Sequence, residues 1–168
     1  AFVAPAVTLT LGLRPADMFE RMFLWQPLTY MFLHGGVFHI LFNMLALWMF
    51  GVDLERRWGS RGFVKYYAIT GVGAGVVTAL VSLLPFAPTR DIYEVTTVGA
   101  SGAIYGLLMA WALLFPTRQI LFMFMFPLSA RVAAFLMGGM AFMGAAGGVN
   151  GSVAEATHLA GFVIGWLY

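Results

Sequence analysis

Cysteine is absent from the 168 residues, which removes disulfides, thiol nucleophiles and thiolate metal sites and leaves the redox compartment undetermined. Charge is scarce too. Only 10% of residues are Asp, Glu, Lys or Arg, far below the ~25% usual in soluble domains. The formal net charge is only +2, and no basic patch alternates with aromatics, so nothing points to nucleic acid. No acid falls inside any long apolar stretch. No H-E-x-x-H occurs, and His34 to His39 is a poor helical spacing for chelation, so the three histidines and Glu155 do not form a recognisable zinc motif. Neither a metal nor any other cofactor is expected. The apolar start, Ala1 to Leu13, lacks a preceding basic region and does not read as a signal peptide. It is also too short for a span. The expectation is a first helix that begins before residue 1 and a last helix that continues beyond Trp166-Leu167-Tyr168.

What is present is apolar surface. Hydrophobic residues make up 61% of the chain and the mean hydropathy is +0.88. Five or six runs approach the ~20 residues that a bilayer span requires. The expected architecture is an all-α, multi-pass membrane bundle in a single domain, 1–168. After the partial first helix, Arg14 to Leu33 reads as an amphipathic interfacial loop. A second span runs from about His34 to Gly51, ended by the charged run Asp53 to Arg61. A third covers Phe63 to Leu84, followed by a loop from Pro85 to Thr97. The fourth covers Gly99 to Phe115. Thr117 to Arg131 contains an apolar stretch too short to cross and interrupted by Pro127, so it reads as a loop at or dipping into the interface. The fifth span is Val132 to Gly147, a loop covers Gly148 to Ser152, and the sixth starts near Val153.

Orientation follows from the basic residues, because short cytoplasmic loops are enriched in Lys and Arg. One set of connections holds Arg56, Arg57, Arg61, Lys65, Arg118 and Arg131; the alternate set holds Arg14, Arg21 and Arg90. The first set is therefore expected on the cytoplasmic side, with Ser101 and His158 near the outer ends of their helices. Gly99 to Phe115 is 17 residues, or ~25 Å at ~1.5 Å per residue, against a hydrocarbon core of ~30 Å. Anchored at its inner end, this helix leaves Ser101 below the outer surface.

Polar residues inside spans are costly and tend to mark function. The stretch Gly99-Ala100-Ser101-Gly102-Ala103-Ile104-Tyr105-Gly106 sets one hydroxyl among glycines at a helix start, where free backbone N–H groups can donate to an anion. The same residues also suit plain helix packing through the small pair Gly102/Gly106. His39 and Asn43 share a helix face, as do Ser101 and Tyr105. His158, Gly161 and Gly165 lie on one face of the last helix. If that face meets Gly102/Gly106, the His158 imidazole comes within reach of Ser101, the relation an activated serine nucleophile needs. His158 as an interface-wetted ring and Asn43 as a single interhelical hydrogen bond remain open. His34 lies one residue off the His39 face, near the loop, and is not assigned to the site.

Four motifs in order carry a resemblance: His34-Gly35-Gly36-Val37-Phe38-His39-Ile40-Leu41-Phe42-Asn43-Met44; Glu55-x-Arg57-x-Gly59-Ser60; Gly99-Ala100-Ser101-Gly102 with Tyr105; and His158-x-x-Gly161-x-x-x-Gly165. Together they resemble the rhomboid intramembrane serine proteases over nearly the whole chain. The resemblance implies six core helices and a catalytic dyad of Ser101 and His158. It implies an oxyanion site formed by Asn43, His39 and the Ser101 backbone N–H, with Gly99 beside it, and Tyr105 packed against His158. Gly102, Gly161 and Gly165 are then supporting residues. The implied partners are transmembrane protein substrates, entering laterally from the lipid bilayer and cut near the outer face. The implied location is a bacterial inner membrane. Where many members carry Trp-Arg in the first loop, this chain has Trp25-Gln26.

A non-catalytic relative that escorts transmembrane clients would keep the glycines and lose nucleophile or base, and this chain keeps both. A small transporter would predict an inverted repeat or broken helices at midplane, and none is apparent. Glu155, three residues before His158, is expected to be dispensable, its charge accounted for by the helix dipole and water.

Overall fold

In a setting without water every backbone polar group needs an internal partner, which favours helices. The structure, a computed structural model, describes residues 4–85, 92–122, 125–147 and 152–168. Helices dominate it: α1 (Pro5–Leu11), α2 (Pro15–Glu20), α3 (Gln26–Thr29), a 3-10 turn (Tyr30–Phe32), α4 (Val37–Val81), α5 (Ser101–Leu114), α6 (Ala130–Gly147) and α7 (Ser152–Leu167). Of the expected loops, residues 86–91 of Pro85 to Thr97 and residues 148–151 of Gly148 to Ser152 lie outside the described residues.

The helix α4 runs for 45 residues but is broken at Gly59, whose φ of 73° and ψ of 162° are not helical. A left-handed φ there is cheap only for glycine. In a straight helix Gly51 and Phe63 would stand ~18 Å apart. Instead the Phe63 ring lies 3.1 Å from where a Gly51 Cβ would sit, so the chain folds back. The two arms, 37–58 and 60–81, are each 22 residues long, or ~33 Å. They correspond to the expected second and third spans. The charged run from Asp53 is helical as far as Trp58, where it forms the last turns of the first arm, and Ser60 and Arg61 open the second.

Among the described residues α4 is the one helix with full membrane-spanning length and hydropathy, and only 22% of its most apolar window is buried. A core helix of a soluble protein would hide that surface. Here Phe38, Trp48 and Leu80 point outward, as they would toward lipid. The other apolar helices are shorter, at 14, 18 and 16 residues for α5, α6 and α7. The helical bundle thus stands, while a count of six spans does not follow from helix lengths.

Two expectations are corrected. The chain is not purely α-helical: Gln119–Phe122 (β1) and Phe126–Ser129 (β2) form an antiparallel hairpin where an interfacial loop was expected. Ile120 and Phe122 favour extended backbone. Pro127 opposite Leu121 is tolerated because both strands of a two-stranded ribbon are edges. Nor is the expected amphipathic interfacial loop, Arg14 to Leu33, without regular structure. It forms short helices opened by Pro15 and Pro27, and it buries Asp17, Gln26, Tyr30 and Met31.

The bundle is organised around α5. Ala103, Leu107 and Leu108 are fully buried. The 60–81 arm packs on one side, with a Gly106 Cβ position 2.6 Å from Thr70 Cβ. On the other side α7 approaches so closely that a Cβ on Gly161 would overlap the Gly102 carbonyl, and one on Gly165 would sit 2.8 Å from Gly106 Cα. Tyr66 ties the three together: its hydroxyl lies 3.0 Å from Gly106 O and 2.7 Å from Gly165 O. At the other end Thr78 and Thr157 hydroxyls meet at 3.0 Å.

Candidate active site

The close α5–α7 contact determines what stands at the top of both helices. Ser101 is the first residue of α5, and the preceding turn is built by Gly99 at φ 125°. That turn is fastened from two sides. Gly99 N–H donates to Tyr30 O at 2.9 Å, and Leu13 and Thr97 exchange backbone hydrogen bonds of 2.9 and 2.8 Å. Gly161 brings α7 onto Gly102, one residue after Ser101. His158, three residues earlier on α7, then reaches across: its Nε2 lies 2.8 Å from Ser101 Oγ. The Tyr105 ring stacks on the imidazole, with centroids 4.4 Å apart and planes 4° from parallel. Both histidine and serine are half-buried.

The 37–58 arm brings His39 to the same place. Gly35 N–H donates to His39 Nδ1 at 3.2 Å. An amide can only donate, so Nδ1 carries the lone pair and the ring proton is on Nε2. That Nε2 faces the Gly99 turn: a Cβ on Gly99 would lie 2.7 Å from it and 3.7 Å from Ser101 Oγ. A donor thus stands beside the serine. His34, buried next to it, packs edge-on against His39 with centroids 5.1 Å apart. Asn43 is buried, and its side-chain amide donates to His39 O at 2.8 Å within its own helix. Of its two N–H donors, one is left for another acceptor.

Sequence reasoning missed two contacts. Gly35 sets the tautomer of His39, and a backbone donor four residues before a histidine is a signal that a local turn supplies. The second is Glu155. Its Oε2 lies 3.3 Å from His158 Nδ1, so the carboxylate is not left to water as expected. In the first loop Gln26, fully buried, accepts the Arg14 backbone N–H at 3.0 Å through Oε1. Arg14 in turn donates to Asp17 at 3.2 Å and to Glu94 at 2.5 Å. Gln26 therefore works from inside the loop, holding its backbone.

At the opposite end of the bundle, Asp53 accepts from Trp111 Nε1 at 3.0 Å and from Arg118. This cluster closes the base of α5, and Ser101 stands at the other end of that helix.

Comparison with known proteins gives the chain's family. The family model described as the Rhomboid domain matches residues 21–168. The chain is 33% identical over 138 residues to Rhomboid protein 1, mitochondrial, of Saccharomyces cerevisiae, covering 82% of this chain and 38% of that protein. It is 36% identical over 86 residues to RHOMBOID-like protein 5 of Arabidopsis thaliana, covering 51% and 25%. It is 38% identical over 86 residues to Rhomboid protease GluP of Bacillus subtilis, covering 51% and 15%. The chain thus spans well under half the length of these relatives. Because they come from a yeast, a plant and a bacterium, and one is mitochondrial, the likeness does not single out a bacterial inner membrane. With the family match covering most of its length, the chain belongs to the rhomboid family.

Proposed function

We propose that this chain is an intramembrane serine endopeptidase domain, 1–168, that hydrolyses a peptide bond of a transmembrane substrate with Ser101 as nucleophile and His158 as base. The observation that carries the reading is the 2.8 Å contact between Ser101 Oγ and His158 Nε2 across two helices held together by glycine. Its name as a protease makes the Bacillus relative a second support.

In the proposed reaction the Ser101 hydroxyl passes its proton to His158 Nε2 as Oγ bonds to the scissile carbonyl carbon. The negative charge that develops on the carbonyl oxygen is met by the Ser101 backbone N–H at the α5 start, by His39 Nε2–H beside the Gly99 turn and by the second side-chain N–H of Asn43, one turn along the same helix from His39. When the intermediate collapses, the C–N bond breaks and the leaving amine takes the proton from His158. Water, deprotonated by the same imidazole, then bonds to the acyl carbon, the C–Oγ bond breaks, and Ser101 Oγ takes the proton back from His158. Tyr105 holds the ring plane throughout. Gly102, Gly161 and Gly165 support the dyad by letting α7 approach.

In this reading the chain has six spans, α1 falling in the first, the two arms of α4 forming the second and third, and α7 falling in the sixth. The basic residues Arg56, Arg57, Arg61, Lys65, Arg118 and Arg131 face the cytoplasm, and Ser101 lies toward the outer face. The substrate helix enters laterally from the bilayer. The test is incubation of the purified protein in detergent with a fluorophosphonate probe and a transmembrane reporter. The parent is expected to label and to cleave. Ser101→Ala and His158→Ala are each expected to abolish cleavage while remaining folded, because nucleophile and base act as a unit. Normal cleavage by either variant would end the dyad assignment.

A further inference from the structure

Building on the protease reading above, we propose that Glu155 is a positioning residue that makes the site a triad, Ser101–His158–Glu155, rather than a dyad. For His158 Nε2 to accept the Ser101 proton, the neutral ring must carry its own proton on Nδ1. That proton needs an acceptor. Glu155 Oε2 stands 3.3 Å from Nδ1, on the side of the ring opposite the 2.8 Å contact with Ser101. As the ring becomes an imidazolium during attack, the carboxylate faces the charge that forms.

The position of Glu155 is built from a second helix. Gly144 of α6 has no side chain, and a Cβ there would lie 2.6 Å from Glu155 Cγ and 3.3 Å from Cδ. The carboxylate's stem therefore rests on the α6 backbone, in a space that any larger residue at 144 would fill. The groups that face the His158 ring are His39 from the first arm of α4, Ser101 and Tyr105 from α5, and Glu155 from α7 itself. Among the described residues Glu155 is the one acid acting on it. The 3.3 Å separation is longer than the 2.7–2.9 Å of a strong charge-assisted bond, and a catalytic hydrogen bond commonly tightens only when substrate is bound. With a third of the Glu155 side chain exposed, its effect falls below the ~10⁴-fold of a buried triad acid.

The test measures kcat and KM on a transmembrane reporter, together with the rate of fluorophosphonate labelling, for the parent, Glu155→Gln, Glu155→Leu and Gly144→Val. Both Glu155 variants are expected to lose about 10- to 100-fold in kcat and in labelling rate, with KM within about twofold and an unchanged thermal midpoint. Gly144→Val displaces the carboxylate without removing it. It is expected to lose kcat similarly, and combining it with Glu155→Gln should add little, as for two changes acting through one contact. A Glu155→Gln enzyme within about threefold of the parent's kcat overturns the triad. So does a loss that comes with a matching fall in thermal midpoint and rise in KM, which marks a packing role. If the parent itself neither labels nor cleaves, the protease reading fails instead.

Discussion

Replacing Gly161 by alanine tests whether the α5–α7 contact is what brings nucleophile and base together. A Cβ at 161 would overlap the Gly102 carbonyl oxygen, with the carbonyl carbon at 2.7 Å and Gly102 Cα at 3.2 Å. These are backbone atoms at the start of the central helix, and no rotamer change can move them aside. Ordinary contact at 3.4–4 Å therefore requires α7 to withdraw by ~1 Å or more near this point. His158 is less than one turn away on the same helix, so its 2.8 Å contact with Ser101 opens to ~4 Å, beyond hydrogen-bond reach. A misplacement of ~1 Å costs about 10²-fold in rate, equivalent to ~2.7 kcal/mol of barrier. Overpacking of this kind also destabilises by ~1–3 kcal/mol. The assay is kcat on a transmembrane reporter in one detergent, alongside thermal unfolding of the same preparations. Gly161→Ala is expected to retain ~1% of kcat or less, with a lowered thermal midpoint. A variant with the parent's kcat and midpoint would show that α7 has room to spare, and would refute the role given to this glycine.

Asn43→Ala is expected to lower kcat by at most ~10²–10³, the range for one oxyanion donor, because the Ser101 N–H and His39 Nε2–H remain. A folded variant as inactive as Ser101→Ala would give Asn43 a different role. Gly59→Ala should destabilise by about 1 kcal/mol or more, since its φ of 73° strains any L side chain. The expected readout is a lower thermal midpoint with little change in kcat per folded molecule, and an unaltered midpoint would contradict the backbone geometry of the turn.

Composition alone was enough for the class of this protein. A chain 61% hydrophobic and 10% charged has too little polar surface for a water-soluble domain, and its apolar runs outline the two arms of α4 as well as α5, α6 and α7. Helical spacing also put His158, Gly161 and Gly165 on one face, and Ser101 with Tyr105 on another, because those relations are local. The hairpin at β1 and β2 was not legible, since a short apolar run interrupted by proline has no periodicity that separates strand from loop. The burial of Asp17, Gln26 and Tyr30 was equally hidden, because it depends on what the first loop packs against. What tertiary structure decided is everything that crosses between helices: the Ser101–His158 contact, His39 beside Gly99, and the seat of Glu155 on Gly144. Glu155 is the sharpest case. Sequence spacing placed it on roughly the same helical face as His158, but a glutamate side chain has several rotamers, and the 3.3 Å contact with the imidazole and the α6 backbone against its stem appear only in the folded chain.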